Sequence, residues 1–398
     1  MKPTPPTAPA LETGSTLARP EFARRLVNWF GHAQRDLPWR LPQNARDPYR
    51  VLISEVMLQQ TTVAAAVPYY LRFIARFPTI QSLAVAPAEE VLSHWAGLGY
   101  YQRARNLHAC AQVVLRQHDG IFPRDFEKIL ALPGIGRYTA GAVSSIAFDT
   151  PAPIVDANVA RVFARVFCLE GDLKAPHNQR RLWQEAESLV QTCDDDCLPS
   201  NLNPALMELG ALICTPREPR CEHCPVNEYC LARATGRANE LPHATPKPQI
   251  IEMRDVCALV HRTNAAGAVE ILLRQRDNDD SGAARNWWRG MWELPRTTLA
   301  PDEKPHDALR RLLQDELHLA KAGTTIEFGS QLKTLQHGVT HHRITLECWA
   351  ASLESEPDSA ARWFTSEAAL PLAMPSIMRR LLDWLHRHVV ANQQLPLL

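Results

Sequence analysis

The chain has 398 residues, 45% of them hydrophobic and 22% charged, and this length is enough for two domains that each bury a core. Its 43 lysines and arginines balance its 43 aspartates and glutamates, so DNA would have to be bound by a local patch rather than by an overall positive field. No apolar run approaches the roughly 18 residues of a membrane span, and we expect no membrane partner. The ten cysteines indicate metal-binding or buried thiols in a reducing compartment rather than a disulfide framework.

The first part of the chain is predicted to be helical. Residues 1–20 have no apolar core of the kind found in signal peptides and are expected to form a disordered tail. Asp47 and Pro48 have the character of an N-cap and a first helical residue, and they predict a helix over residues 49 to about 62. An apolar stripe at helical spacing predicts an earlier helix that contains Phe22, Leu26, Val27 and Phe30.

Glu55 stands out within the second of these helices. Its neighbours one turn away are the largely apolar set Val51, Leu52, Leu58 and Gln59. A carboxyl group on an apolar face loses hydration on folding, and this loss raises its pKa. The commoner fate of a helical glutamate is to reach solvent from the edge of the stripe, and the local pattern leaves both outcomes open.

A short turn, Pro133-Gly134-Ile135-Gly136, separates two further predicted helices, one ending at Leu130 and one beginning at Tyr138. Glycine accepts a positive φ and lets the backbone approach a ligand closely. The unpaired N–H groups at the start of the following helix would suit a phosphate. An ordinary helical hairpin with glycine as a C-cap is the alternative, and the spacing by itself favours it.

Asp156 is placed to cap a predicted helix over residues 157–167. A capping carboxylate accepts backbone N–H bonds and stabilises a helix by about 1 kcal/mol. We expect these bonds and the helix dipole to depress the pKa of Asp156 and to keep it ionised. Capping and catalysis are compatible, and the local sequence does not separate them.

Four cysteines follow in the spacing C-x6-C-x2-C-x5-C: Cys214, Cys221, Cys224 and Cys230. One close pair with wider outer ligands fits an iron–sulfur cluster better than a structural zinc ion, whose thiolates usually come as two close pairs. Cys193 and Cys197 form a weaker pair. The remaining cysteines are expected to be buried apolar residues, namely Cys110, Cys168, Cys257 and Cys348.

A stretch without periodicity, rich in Gly, Pro, Ala and polar residues, predicts a linker over residues 233–251. Beyond it the pattern is mixed α/β. Strands are predicted at 256–260, 270–274, 326–335 and 344–351, a turn at 290–295, and helices at 305–319 and 376–389.

Six motifs occur together in this chain: Leu37-Pro38-Trp39-Arg40, Ser54-Glu55-Val56-Met57-Leu58-Gln59-Gln60-Thr61, Gly97-Leu98-Gly99-Tyr100-Tyr101, Leu132-Pro133-Gly134-Ile135-Gly136, Val155-Asp156-Ala157-Asn158, and the four-cysteine loop. With them the chain resembles the adenine DNA glycosylases of the MutY type, in the helix–hairpin–helix glycosylase superfamily, over about residues 21–388. The resemblance implies a multi-domain protein, with an all-α helix–hairpin–helix glycosylase domain that carries a 4Fe–4S cluster and a C-terminal α+β Nudix-like domain.

The resemblance also implies boundaries and an activity. The expected order is a tail at 1–20, a glycosylase domain at 21–232 with its cluster loop at 214–230, a linker at 233–251, and a Nudix-like 8-oxoguanine recognition domain at 252–390. The implied enzyme is a base-excision-repair glycosylase that flips and hydrolyses adenine mispaired with 8-oxoguanine or G in double-stranded DNA. It is expected to be a monomer in the bacterial cytoplasm.

Within this resemblance, Glu55 would be the general acid that protonates the flipped adenine and later helps to activate water. Asp156 would stabilise the oxocarbenium ion, and Tyr138 and Asn158 would line the site. Endonuclease-III-like relatives have a lysine at the position of Tyr138, which forms a Schiff base and cuts the strand, and a tyrosine cannot do so. A monofunctional glycosylase is therefore favoured over a bifunctional glycosylase/lyase, and also over a non-catalytic DNA-binding scaffold or a nucleotide pyrophosphatase.

The remaining implied residues bind DNA. Trp39 and Arg40 would lie near the extruded base, and Gly134 and Gly136 would present backbone N–H groups to a phosphate. The residues implied to wedge into the duplex are Gln60, Leu98 and Tyr100. Gln59 and Thr61 belong to the same DNA-binding set.

The segment Val339-Thr340-His341 matches the Phe-Ser-His recognition loop of the family. Thr340 keeps the hydroxyl group and His341 is retained, whereas Val339 replaces an aromatic residue. Residues expected in a working Nudix box are replaced by Arg296, Thr297 and Leu312. Pyrophosphate hydrolysis needs several carboxylates on magnesium, so we do not expect that activity.

Overall fold

The structure is a computed structural model, and it describes residues 18–42, 45–243, 249–276, 286–317, 326–353 and 361–390. The expected tail at 1–20 lies outside the described residues except for its last three. The chain forms two compact units. The first comprises Met1–Val85 and Asn106–Pro246, and the second comprises Ala86–Arg105 and Lys247–Leu398.

Helices account for most of the first unit and for part of the second. In chain order they are α1 (Ala18–Ala33), α2 (Pro48–Leu58), α3 (Val63–Arg76), α4 (Ile80–Val85), α5 (Ala88–Trp95), α6 (Gln102–Gln117), α7 (Phe126–Leu130), α8 (Arg137–Phe148), α9 (Ala157–Val166), α10 (Pro176–Val190), α11 (Pro199–Leu212), α12 (Leu231–Ala234), α13 (Pro305–Arg311), α14 (Ser366–Ala369) and α15 (Ser376–Leu385). None of the described helices is long and apolar enough to cross a membrane.

The predicted apolar stripe of α1 forms one side of the core of the first unit. Phe22, Leu26 and Phe30 are buried, as the helical spacing predicted. They pack in one cluster with side chains of α9 and α11, including Phe163 and Leu206. This packing fixes α9 and α11, which both contribute to the site described below.

The helix that carries Glu55 begins as predicted and ends earlier than predicted. Asp47 accepts a hydrogen bond from the backbone N–H of Tyr49, which is the expected N-cap. The helix ends at Leu58 rather than near residue 62. The reason is that Gln60 adopts a φ of 57°, which breaks the helix, and Thr62 then caps α3 with its hydroxyl group.

A mixed sheet forms the second unit, which confirms the α+β prediction. Its strands are β1 (Ile251–Thr263), β2 (Val269–Gln275), β3 (Trp292–Glu293), β4 (Arg296–Thr298), β5 (Ile326–Val339), β6 (His342–Leu353) and β7 (Ala361–Thr365). The sheet order is β3-β2-β1-β6-β5, with β4 paired to β1 and β7 paired to β2. β1 and β6 are parallel, and the other pairs are antiparallel.

Alternate residues of β1 face two different cores. Val256 and Ala258 pack in one cluster with α13, and Cys257 and Leu259 pack in another with α15. The sheet is therefore covered by a helix on each face, and its central strand reads as a continuous apolar run.

Two predictions for this unit were wrong in detail. The predicted turn at 290–295 contains β3, because Trp292 pairs with Gln275 of β2. The predicted helix at 305–319 is regular only to Arg311 and continues as a wider π-helical turn over Leu312–Glu316, while residues 318–319 lie outside the described part. Local periodicity indicated neither the pairing nor the change of helix type.

The compact units differ in extent from the predicted domains. The predicted domain boundaries themselves stay a prediction. Ala86–Arg105 belongs to the second unit, where the Tyr101 hydroxyl group donates to the carbonyl of Met374 at 3.2 Å. In the predicted linker, the side chain of Leu241 is buried, and its carbonyl accepts a hydrogen bond from Arg165 at 2.8 Å. Part of that segment is therefore packed, and residues 244–248 lie outside the described ones.

Candidate active site and iron–sulfur loop

A cavity of about 880 Å³ opens within the first unit. This volume lies within the ordinary range of small-molecule sites. Side chains of α1, α2, α8, α9 and α11 contribute to its wall. The predicted site residues that line it are Trp39, Arg40, Glu55, Gln59, Gln60, Thr61, Tyr138, Asp156 and Asn158.

Glu55 is only 6% exposed, which rules out the alternative that it reaches solvent. It lies on α2 between buried apolar neighbours, and it still faces the cavity. Burial raises the pKa of the Glu55 carboxyl to about 7, a hydrogen bond from Tyr138 opposes this rise, and the nearby Asp156 adds to it. A proton is therefore available on Glu55 near neutral pH, where an ordinary glutamate is ionised.

Tyr138 is the direct partner of Glu55. It lies in the first turn of α8, and its hydroxyl group donates to Glu55 Oε2 at 2.5 Å. The same hydroxyl lies 3.4 Å from the sulfur of Met207. Burial raises the pKa of Tyr138 well above its ordinary value, so this group remains a hydrogen-bond donor.

Asp156 caps α9 as predicted, but the prediction for its pKa was wrong. Its carboxylate accepts from the backbone N–H of Val159 at 2.7 Å and from the side-chain amide of Asn158 at 2.8 Å. Burial nevertheless raises the pKa of Asp156, and it outweighs these hydrogen bonds and the charge of Arg161, which lower it. The position of the cap agrees with the sequence-based prediction. The burial that raises the pKa of Asp156 comes from tertiary packing, which the local sequence does not show.

Asn158 joins this site to the cysteine loop through Arg161. The Arg161 guanidinium donates to Asn158 Oδ1 at 2.9 Å, to the carbonyl of Gly210 at 2.7 Å and to the carbonyl of Cys214 at 2.7 Å. A Cβ atom on Gly210 would lie 2.5 Å from that of Asn158, so only glycine lets α11 approach α9 this closely. Arg161 was not among the site residues predicted from the sequence.

Arg40 is held by an acidic residue that the sequence analysis also missed. Glu208 lies on α11, is 0% exposed, and accepts hydrogen bonds from Arg40 at 2.7 Å and from Arg35 at 2.7 Å. Burial raises the pKa of Glu208, but the hydrogen bonds from Arg35 and Arg40 outweigh this and hold the pKa at about 2. Its neighbours one helical turn away, Pro204, Ala205, Ala211 and Leu212, are apolar, which is the signal that identified Glu55.

The remaining cavity residues are arranged around its wall. Trp39 packs edge-on against Tyr70, with the ring centroids 5.2 Å apart. The Gln59 side-chain amide donates to the hydroxyl of Thr139 at 3.4 Å, and Thr61 follows in the same turn. Gln60 is exposed, so its side chain is accessible to a ligand.

The glycine turn has the predicted helix–hairpin–helix form between α7 and α8. Gly134 has a φ of 73°, and a Cβ atom there would lie 2.4 Å from that of Asn106. The close packing against Asn106 therefore explains why residue 134 is a glycine. Gly136 is the N-cap of α8, and open space lies where its Cβ would be. The open space at Gly136 leaves room for a phosphate to approach the N-terminus of α8.

The four-cysteine loop follows α11 and surrounds a small cavity that all four thiols line, namely those of Cys214, Cys221, Cys224 and Cys230. Two short 3-10 turns, Cys221–His223 and Asn227–Tyr229, bring these residues together. The buried guanidinium of Arg165 donates to the sulfur of Cys214 at 3.2 Å. Four sulfur donors around one cavity, with a cationic donor beside them, fit an iron–sulfur cluster.

In the second unit, the two residues expected to wedge into DNA differ in their exposure. Leu98 is only 8% exposed, because its side chain is packed, whereas Tyr100 is 44% exposed. Tyr100 has a φ of 50°, and the Arg103 guanidinium lies over its ring at 5.4 Å. Only Tyr100 of this pair presents a surface on which a base could stack in this structure.

Thr340 and His341 form the tight turn between β5 and β6. Thr340 has a φ of 55°, and its hydroxyl group donates to the carbonyl of Val339 at 2.7 Å. Both residues are exposed and line a cavity of about 380 Å³, together with Ile250 and His337. This concave surface is lined by different residues from those of the 880 Å³ cavity, and all of them come later in the sequence.

Three segments match known families: residues 53–188 the "HhH-GPD superfamily base excision DNA repair protein", residues 258–384 a "NUDIX domain", and residues 214–230 the "Iron-sulfur binding domain of endonuclease III". The last match confirms the predicted 4Fe–4S site, whose ligands would be the four cysteines of the loop.

The relatives extend over most of the chain. The adenine DNA glycosylase of Rattus norvegicus is 36% identical over 413 residues, covering 90% of this chain and 77% of the relative. That of Homo sapiens is 35% identical, covering 90% of this chain and 73% of the relative. That of Mycolicibacterium smegmatis is 43% identical over 211 residues, covering 53% of this chain and 69% of the relative. With this coverage and the iron–sulfur match, the chain belongs to the adenine DNA glycosylase family.

Proposed function

We propose that the protein hydrolyses the N-glycosidic bond of adenine mispaired with 8-oxoguanine or G in duplex DNA. The observation that carries this proposal is the pair of buried carboxyl groups on one cavity. The Glu55 carboxyl has a pKa of about 7. The Asp156 carboxylate caps α9 by accepting from the Val159 N–H, and it also accepts from the side-chain amide of Asn158. Two carboxyl groups in different environments are what acid-assisted cleavage of a sugar–base bond requires.

In the first step, the protonated Glu55 gives its proton to the adenine ring. The electron pair of the C1′–N9 bond leaves with the base, and positive charge develops on the sugar. The carboxylate of Asp156 faces the same cavity and stabilises that charge. The Tyr138 hydroxyl stabilises the Glu55 carboxylate that this step produces.

In the second step, water adds to C1′ and returns a proton to Glu55, which resets the site. Tyr138 has no amine that could form a Schiff base with the opened sugar, so we infer that strand cleavage is not part of the reaction. A bifunctional glycosylase/lyase of the endonuclease III kind is the alternative, and no described residue of the cavity wall is a lysine.

The target adenine must leave the base stack to enter this cavity. Gln60 and Tyr100 are accessible and are proposed to contact the duplex around the lesion. The amides at the Gly136 end of α8 are proposed to bind a phosphate. The cysteines hold the 4Fe–4S cluster, and its proposed role is structural, in ordering the loop that carries Arg217 and Arg220.

Thr340 and His341 are proposed to read the base opposite the adenine. Their hairpin lines a concave surface with exposed hydrogen-bonding groups, which suits the edge of an oxidised purine. The monomeric state and the cytoplasmic location stay predictions.

The test is a single-turnover assay on duplexes that hold A opposite 8-oxoguanine, G or T, with and without alkali. We expect alkali-dependent breaks at the mispaired adenines only. Glu55→Gln should lower the excision rate by about 10³-fold because it removes the transferable proton, and Asp156→Asn should also lose excision, while both variants still bind DNA. Glu127→Gln is the matched control, because Glu127 is exposed on α7.

Three results would contradict the proposal. Full activity in Glu55→Gln would remove the assigned acid. Breaks without alkali, at a rate that matches excision, would favour the lyase. Binding without excision in the unmodified protein would leave a DNA-binding scaffold.

A second test addresses discrimination between 8-oxoguanine and G. Thr340→Ala should reduce the ratio of excision rates for the two opposing bases by roughly fivefold, the equivalent of one lost hydrogen bond of about 1 kcal/mol. His341→Ala should act in the same direction. Thr334→Ala, on the same strand but away from the hairpin, is the control. An unchanged ratio in both hairpin variants would remove this loop from the proposal.

A further inference from the structure

Met207 places a sulfur atom beside the groups that hold the proton in the 880 Å³ cavity. It lies on α11, next to Glu208, and it lines the cavity. The Tyr138 hydroxyl group lies 3.4 Å from the Met207 sulfur and 2.5 Å from Glu55 Oε2, within hydrogen-bonding distance of both. The single hydroxyl proton therefore has two acceptors, of which the thioether sulfur is the weaker.

Met207 also differs from most other methionines in its accessibility. Only Met207 and Met253 among the described methionines are partly exposed, and Met253 lies on β1 in the second unit. The others are at most 1% exposed, namely Met57, Met291, Met374 and Met378. Among the described residues of the cavity wall, Met207 is the only one that contains sulfur. A small oxidant that enters the cavity would therefore meet this sulfur atom.

The cysteines do not offer a similar contact. Cys110, Cys257 and Cys348 are fully buried, as predicted. Cys168, predicted to be buried, is only partly so, because it follows α9 with a φ of 53°. No cysteine is among the described residues of the cavity wall. An oxidant that acts inside the cavity would therefore act on the thioether rather than on a thiol.

We propose that Met207 is an oxidative modification site, whose conversion to the sulfoxide slows excision. This inference rests on the proposed function, because it takes Glu55 as the general acid. A lone pair of the Met207 sulfur attacks one oxygen of hydrogen peroxide and forms the S–O bond. The O–O bond breaks, and the other hydroxyl leaves as water with the proton of the transferred oxygen. The sulfur loses two electrons and the peroxide gains them.

The sulfoxide would compete with Glu55 for the Tyr138 hydroxyl group. Its polar S–O group is a much better acceptor than a thioether. The methionine side chain is unbranched and has three rotatable bonds, so it can turn the added oxygen toward the hydroxyl. A hydroxyl group with a good second acceptor stabilises the Glu55 carboxylate less, so the pKa of Glu55 should rise and its proton should be released less readily.

Two charged groups besides Tyr138 act on the pKa of Glu55. Asp156 raises it, and Arg40, which is bound by Glu208, lowers it. A sulfoxide is neutral and changes neither charge. The effect of oxidation on the proton should therefore pass through the Tyr138 hydroxyl group.

The test uses the full-length holoprotein with its cluster, treated with hydrogen peroxide while the cluster absorbance is followed. Peptide mass spectrometry measures the gain of one oxygen on Met207, and single-turnover excision of the mispaired adenine is measured over a range of pH. As Met207 is oxidised with the cluster intact, the rate at neutral pH should fall by up to about fivefold. The limb of the pH profile that falls with rising pH should move up by as much as about one unit.

Three variants identify the cause, each compared with its own untreated sample. Met207→Leu keeps a similar shape without sulfur, so peroxide should change neither its rate nor its limb. Met253→Leu is the matched control at the other partly exposed methionine, and it should respond to peroxide as the unmodified protein does. Tyr138→Phe removes the hydroxyl group through which the sulfoxide acts, so its limb should not move although Met207 still gains oxygen.

Three results would overturn the proposal. One is a limb that stays in place in the unmodified protein after Met207 has gained oxygen. The second is an equal fall in rate in Met207→Leu, and the third is oxidation of Met253 while Met207 stays unmodified. A failure of the proposed function is recognised separately, because the untreated protein would then excise no adenine, and the proposal would fall with it.

Discussion

Glu55 and Glu208 are both buried on apolar helix faces and both line the same cavity, yet they have opposite electrostatics. The pKa of Glu55 is raised to about 7, and that of Glu208 is lowered to about 2. Burial raises the pKa of both groups. The difference lies in the partners, because Glu208 meets two guanidinium groups and Glu55 meets one neutral hydroxyl.

The comparison separates a structural carboxylate from a reactive one. Two charged partners keep Glu208 ionised and tie Arg35 and Arg40 to α11, so it cannot release a proton near neutral pH. Glu55 has its proton available because burial outweighs the hydrogen bond from Tyr138 and the charge of Arg40, which both lower its pKa. Asp156 lies between the two, since its pKa is raised although Asn158 and a backbone amide bind it.

The largest expected effect is the loss of stability on substitution of Glu208. Glu208→Gln should lower the free energy of unfolding by about 4 kcal/mol, because it leaves two arginines beside an uncharged buried group. Chemical denaturation followed by circular dichroism measures this change. Glu55→Gln is the matched control, since it removes the same atoms at a buried site without charged partners and should leave stability at neutral pH unchanged or higher. Equal losses of stability in the two variants would contradict the assigned difference.

The second prediction separates the two carboxyls by pH. Folded Glu55 keeps its proton up to about pH 7, whereas the unfolded chain releases it near 4.5. The folded state therefore binds more protons between these values, and the free energy of unfolding falls by about 3 kcal/mol as pH rises from 4.5 to 7. Glu208 has the opposite sign: its folded pKa of about 2 gives stability that is present above 4.5 and is lost as pH falls toward 2.

Denaturation curves at a series of pH values, compared between variants, measure both contributions. Glu55→Gln should remove the fall in stability between pH 4.5 and 7, and Glu208→Gln should flatten the fall below 4.5. A Glu55→Gln curve parallel to that of the unmodified protein would show that Glu55 titrates normally, and the acid role would fail with it.

The comparison also shows what local sequence can predict. Glu55 was identified because its helix neighbours are apolar, and Asp156 because it precedes a helix. Glu208 also has apolar neighbours one turn away and was missed. What distinguishes it is its arginine partners, 173 and 168 residues away in the chain. The predicted sign of the Asp156 pKa shift failed for the same reason, because burial arises from distant segments.

Element types were more predictable than their ends. An apolar stripe at helical spacing located α1, and the Asp47-Pro48 cap located the start of α2. The end of α2 depends on the left-handed conformation of Gln60, a residue that does not normally signal it. Thr62, which caps α3, was a local signal that went unused. β7 was missed because its five residues are defined by pairing with β2, about 90 residues earlier in the chain.

The smallest expected effect concerns the hydrogen bond between Tyr138 and Glu55. Tyr138→Phe removes the hydrogen bond that stabilises the Glu55 carboxylate, so the pKa of Glu55 should rise further. In the pH profile of single-turnover excision, the limb that falls with rising pH should move up by about one unit. The rate at neutral pH should drop by up to about fivefold, because Glu55 becomes a weaker acid while a larger fraction of it holds its proton. Tyr49→Phe is the control on the same helix as Glu55. Its hydroxyl donates to the carbonyl of Phe77 at 2.7 Å, so the change should lower stability and leave the limb in place. A limb that stays fixed in Tyr138→Phe would mean that the group titrating in the profile is not Glu55.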